Sequence, residues 1–115
     1  MNSHEPHPGK ISLGCSKIKV TLDVMGGKWK PLILFLLSAD TMRFSQLQHQ
    51  IDGITQKMLS QQLKELEADG IVSRTVYAVV PPKVEYSLTK HGKTLVPLLL
   101  DMEKWGLSHR NSTAS

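Results

Sequence analysis

Five polar residues within one short stretch carry the chemistry with the clearest direction: Gln56, Lys57, Ser60, Gln61 and Lys64. Glutamine can pair bidentately with adenine. Lysine can reach guanine acceptors or a phosphate, and serine can bond a base or a phosphate. The acids Glu65, Glu67 and Asp69 follow at the other end of the same segment. Donors at one end and acids at the other suit a helix whose start meets DNA. Taken alone, the set also fits an exposed helix with Lys and Gln chosen for propensity. Arg43 and Lys83 stand before and after this stretch and could clamp phosphates on either side. Phosphate contacts position a protein without reading sequence. Ser45 is counted with them as a candidate DNA contact.

The other reactive residues are sparse. Cys15 is the single cysteine, so no intrachain disulfide can form. Lys17 and Lys19 follow it at a helix start, an environment that favours the reactive thiolate. The plainer reading is a small half-buried filler with no chemistry. His4 and His7 are spaced H-x-x-H, and His49, His91 and His109 are scattered. None converges with other ligands as a metal site requires, so no metal or cofactor is expected. Gly26-Gly27-Lys28-Trp29 superficially matches a phosphate loop, but Leu22 stands where the earlier glycine is needed and Trp29 replaces Ser/Thr. No Ser/His/Asp arrangement has local support, and a non-enzyme is expected.

These residues must be positioned by elements that the periodicity predicts. A first helix spans about Ser16–Met25, with Ile18, Leu22 and Met25 on one face and Val20 and Val24 as a second stripe. Gly26 and Gly27 stop it. A second helix begins near Trp29, with Pro31 in its first turn. Its run Leu32–Leu37 is apolar all round and predicts a central core helix. After a short extended link at 41–44, Ser45 is read as an N-cap with Gln48 three residues on. That short helix breaks at Asp52-Gly53. Thr55 caps the next helix, which buries Leu59, Leu63 and Leu66 and ends at Asp69-Gly70. Strands follow at Val72–Tyr77 and Val84–Leu88, joined by a loop at about 78–83 that carries Pro81-Pro82. Thr89 caps a last helix to about Gly106, with Leu95, Leu98, Leu99, Met102 and Trp105 inward and Pro97 as a kink. The order predicts a mainly α fold with a small β-hairpin wing, a winged helix-turn-helix.

The chain has 115 residues, 40% hydrophobic and 21% charged, with a net charge of +4. One core fits this length. The predicted organisation is a mobile tail at 1–10, one domain at 11–107 and a C-terminal tail at 108–115. No apolar run reaches the ~20 residues of a membrane span, and the polar start has no signal-peptide h-region. The expected location is the cytoplasm. The last helix carries a surplus apolar stripe, Val96, Leu100 and Leu107. With Val20 and Val24, it suggests a two-fold subunit interface. Alternatively, one stripe tucks under the other terminal helix of the same chain.

The strings TLDVMGGKWKPLIL, RFSQLQHQIDGITQKMLSQQLKELEADGIVSR and YAVVPPKVEYSLTKHGKTLVPLL, in this order and spacing, resemble the HxlR family of bacterial winged-helix transcriptional regulators, relatives of the MarR type. The likeness covers about residues 15–106. It implies a homodimer paired through the terminal helices and binding double-stranded operator DNA. It places Gln56, Lys57, Ser60 and Gln61 on the recognition helix and Lys83 on the wing. Several members sense electrophiles or oxidants through a cysteine near the N-terminus, and Cys15 matches that position, although Ser16 stands where the family often has proline. The competing expectation is a winged-helix protein–protein interaction module that does not touch DNA.

Overall fold

Five α-helices and one hairpin succeed one another in the computed structural model, which describes residues 16–113. They are α1 (Lys17–Met25), α2 (Lys30–Ala39), α3 (Phe44–Gln50), α4 (Gln56–Ala68), β1 (Val72–Tyr77), β2 (Lys83–Leu88) and α5 (Val96–Thr113), with a 3-10 turn at Gly92–Leu95 before α5. Cys15 and the expected tail at 1–10 lie outside the described residues, as do 114–115.

Local chemistry sets the element ends. Ser16 caps α1, its hydroxyl accepting from the Lys19 amide at 3.4 Å. Thr55 caps α4 in the same way, accepting from the Met58 amide at 3.1 Å. Gly53 sits at φ +85° in the turn between α3 and α4, where a side chain would be strained. The start of α3 differs from expectation. It begins at Phe44, and Arg43, not Ser45, is the N-cap. The Gln46 side chain accepts from the Arg43 amide at 2.8 Å. Gln46, not Gln48, therefore lies three residues beyond the true cap, and Ser45 falls inside the first turn.

The core collects one face from nearly every element. Ile33, Leu34 and Leu37 of α2, Leu47 of α3, Leu59, Leu63 and Leu66 of α4, and Leu99 of α5 are buried with Val72, Tyr86 and Leu88 of the hairpin. β1 and β2 pair antiparallel, with Val72 opposite Leu88 and Arg74 opposite Tyr86. Met42 adds a bridge to the hairpin, exchanging backbone bonds of 2.8 and 3.0 Å with Tyr86. The extended link before α3 is thereby pinned to the wing.

The ends of the chain depart from the sequence reading. α5 continues to Thr113, so residues 108–113 are helix and not tail. Nothing there breaks a helix: no proline or glycine follows Gly106, Trp105 and His109 stack one turn apart at 4.8 Å, and the Thr113 hydroxyl bonds back to the His109 and Arg110 carbonyls. Pro97 is the second residue of α5, where its missing N–H costs little, so it is not an interior kink. Of the expected inward stripe on α5, Leu99 is buried and Leu95 packs partly against the core, whereas Leu98, Met102 and Trp105 are exposed. On α1, Ile18 and Leu22 are exposed, and Leu32 of α2 also faces out. Beyond Leu99, α5 leaves the body, and the molecule measures 66 × 39 × 24 Å.

Candidate nucleic-acid interface

The first half of α4 presents its polar residues outward because the Leu59–Leu63–Leu66 stripe faces the core. Gln56, Lys57, Gln61 and Lys64 are exposed, and Ser60 is half-buried. A cleft of about 660 Å³ runs beside them, lined by Phe44, Thr55, Gln56, Lys57, Ser60 and Tyr86. A second hollow of about 350 Å³ continues it, lined by Ser60, Lys64, Glu67, Arg74 and Tyr86. The fold thus gathers Gln56, Lys57, Ser60 and Lys64 along one trough between the helix-turn-helix and the wing. Arg74 is the member that sequence reasoning missed. Its signal was available: in β1 it shares the parity of buried Val72, so it faces α4.

The two outlying cations are less free than their sequence positions imply. Lys83 is the first residue of β2, not a loop residue. Its ammonium lies 3.3 Å from the Glu85 carboxylate and 5.0 Å from the centre of the Tyr77 ring. A hydrogen bond from Tyr77 holds the Glu85 carboxyl below its ordinary range, and Lys83 and Arg43 lower it further. Arg43 and Lys83 therefore act on the same carboxylate. Ser45 is exposed in the first turn of α3.

Behind the exposed face lies a charged residue that its sequence position gives little reason to bury. Lys30, at the start of α2, is 8% exposed, and its ammonium meets the Glu65 carboxylate of α4 at 2.6 Å. The other Glu65 oxygen accepts from the Gln61 amide at 3.3 Å. These bonds, with the Lys30 charge, keep Glu65 ionised below the ordinary carboxylate range. Gly26-Gly27-Lys28-Trp29 serves packing: Gly27 turns at φ +89°, and the Trp29 ring stands beside the α3–α4 turn, 3.9 Å from where a side chain on Gly53 would begin.

Residues 24–114 match the family described as HxlR-like helix-turn-helix. The chain belongs to this HxlR-like family. A relative from Bacillus subtilis, an uncharacterised HTH-type transcriptional regulator called YybR, is 52% identical over 98 residues, covering 85% of this chain and 78% of its own. The solved structure of the redox regulator HypR in its reduced form superposes with a TM-score of 0.82 at 50% identity, covering 86% of this chain and 98% of that one. The reduced form of the regulator YodB from B. subtilis gives 0.71 at 37% identity, over 79% and 89%. This HxlR-like chain is an HTH-type transcriptional regulator with a winged-helix fold, and it is not an enzyme. Among the described residues no helix is long and apolar enough to cross a membrane.

Proposed function

We propose that this HxlR-like regulator binds operator DNA in the cytoplasm as a homodimer, with one α4 entering the major groove of each half-site. The observation that carries this reading is the exposed first half of α4, free of acids, beside a trough that also holds Arg74. Gln56, Lys57, Ser60 and Gln61 read base edges, while Lys64, Arg43, Ser45 and Lys83 contact the backbone. Two α4 helices about one DNA turn apart require a two-fold partner. The apolar residues left open on α1 and α5, Val20, Leu100 and Leu107 among them, support that partner. Val24 and Val96 pack partly on their own core and would form the interface floor.

Cys15 is the proposed signal site. The likeness to HypR, a redox regulator, supports this role. Either an electrophile adds to the Cys15 thiolate to form an S–C bond, or an oxidant removes two electrons and two protons from the paired Cys15 thiols to form a disulfide. Both changes sit one residue before the α1 cap and would shift the interface that spaces the two α4 helices.

Gel retardation of the gene's own upstream region at two salt concentrations tests the reading. Specific retardation that weakens as salt rises is expected, with the salt slope lowered by about one unit in Lys64→Ala, which loses a phosphate contact. No retardation by wild type would overturn DNA binding. Diamide should release DNA from wild type and not from Cys15→Ser. Equal responses of the two proteins would retire Cys15 as the sensor.

A further inference from the structure

A chain of three side chains crosses from the buried base of α2 to the exposed face of α4. Lys30 Nζ contacts one Glu65 carboxylate oxygen at 2.6 Å. Gln61 Nε2 donates to the other at 3.3 Å. Each link restricts the next. Lys30 is buried, so its ammonium has little freedom, and it holds one oxygen of the half-exposed Glu65 carboxylate. A carboxylate only accepts hydrogen bonds. Whatever faces it from Gln61 must therefore be the NH2 group, and the two-fold ambiguity of the amide is removed. One N–H is then spent on Glu65. The carbonyl oxygen and one N–H remain, an acceptor and a donor on the same amide.

That remaining pair has a specific complement. Adenine offers an N6 donor beside its N7 acceptor in the major groove, and a glutamine amide meets both at once. Guanine offers two acceptors there and leaves the glutamine oxygen without a donor. An unrestrained glutamine can rotate its amide to suit other edges, whereas a held one cannot.

We propose that Lys30 and Glu65 are positioning residues that lock the Gln61 amide and so make Gln61 the adenine-reading residue of this protein. The proposal rests on α4 entering the major groove. It adds two residues that touch no DNA, one of them buried in a different helix, to the set that decides sequence preference. It also gives Glu65 a reason to stand on a helix face that meets a polyanion.

The test is a binding panel in which every base pair of the operator half-site is replaced in turn, measured by fluorescence anisotropy. Wild type and Gln61→Ala together locate the base pair that Gln61 reads, and an A·T pair is expected there. A lost base contact of the usual strength, about 1–3 kcal/mol, corresponds to roughly 5- to 150-fold in preference. Glu65→Gln should narrow the preference at that same pair at least about threefold and leave the other positions as they were. Its affinity for non-specific DNA should be equal or higher, because an acid has been removed near phosphate. Lys30→Met should show the same local loss. In the free protein, the Gln61 side-chain amide resonances should move on Glu65→Gln, a readout that does not depend on DNA. A wild-type binder whose base profile is unchanged in Glu65→Gln overturns the relay alone. A G·C pair at the Gln61 position overturns the adenine assignment. Absence of DNA binding by the wild type overturns the relay together with the reading beneath it.

Discussion

Around α4 the inward leucines are sealed: Leu59 and Leu66 are 0% exposed and Leu63 is 1%. On the terminal helices, residues of the same apolar character stand open, with Ile18 at 69%, Leu22 at 59% and Trp105 at 67%. Both regions have apolar residues at helical spacing, but only one finds enough neighbours within its own chain. The body has α2, α3, α4 and the hairpin to close around one point. α1 is nine residues long, and α5 runs out past the last residue that packs on it. An apolar residue costs about the same wherever it is wetted, so an uncovered stripe on two helices that meet beside one hollow asks for a further surface. Ile18, Leu22, Met25, Leu98 and Met102 line that hollow, about 420 Å³, between α1 and α5. The comparison separates residues that make the chain fold from residues that are proposed to make it associate.

The largest expected effect breaks the folding side. Leu63→Ala leaves a cavity in a closed core and should cost about 2–5 kcal/mol of stability in chemical denaturation. Leu107→Ala removes the same atoms from an open position. It should leave the limiting stability at low protein concentration nearly unchanged and reduce the concentration dependence of unfolding that a dimer produces. Equal losses at the two sites would erase the distinction.

The next effect falls on association. Leu100→Glu would place an unpaired charge against the partner, at a cost of about 2 kcal/mol or more, which weakens the dimer about 30-fold. Sedimentation at micromolar concentration should then show monomer where wild type shows dimer, with the helical content of the body retained. A wild type that sediments as monomer would remove the reason given for the open stripes.

The same contrast explains what could be read from the sequence. The body was legible except at the start of α3, where Arg43 and not Ser45 is the cap. Thr55 as a cap, Leu59–Leu63–Leu66 as the buried face, Asp69-Gly70 as a stop and the β-branched strands are all local signals, and they determined the helix-turn-helix and wing directly. The terminal helices were only half legible. Spacing shows that apolar residues share a face, but not whether the chain supplies anything to cover it. Spacing therefore predicts Leu98, Met102 and Trp105 inward, although all three are exposed. The extension of α5 to Thr113 had no marker, because polar residues continue a helix as readily as they form a tail. Lys30 was illegible for another reason. Its burial depends on Glu65, thirty-five positions away, and no pattern in the sequence couples the two. Arg74 was legible in part: its parity with Val72 in β1 gives the face, whereas its nearness to Ser60 and Lys64 across the trough comes only from the fold.

A smaller effect sharpens the picture of the body. Thr55→Ala removes the oxygen that accepts from the Met58 amide, and should cost about 1 kcal/mol. Thr55→Ser keeps that oxygen and should recover most of the loss. The cap also starts the helix that carries Gln56 and Lys57, so DNA affinity should fall with Thr55→Ala and return with the serine. If the alanine variant is as stable as wild type, the start of α4 is held by packing and not by its cap.

The smallest effect tests how the two regions are charged. Glu65 is held below its ordinary value of 4.5 by the Lys30 contact first, and then by Gln61 and the Lys30 charge. Its folded-state value is thus lower than its unfolded-state value. Between the two, the unfolded chain binds more protons, so stability rises with pH through that window. The contribution is complete above about 4.5 and is lost as pH falls through the depressed value. Glu65→Gln cannot titrate. Its stability relative to wild type should therefore be lower at pH 7, and the gap should close in acid, below the range where Glu65 takes up its proton. Glu85, held down by Tyr77, Lys83 and Arg43, titrates in the same direction and remains in both proteins, so it cancels from the difference. A gap between wild type and Glu65→Gln that stays constant from pH 7 into acid would mean that Lys30 and Glu65 do not pair in the folded chain, and the link from α2 to the recognition face would be lost with it.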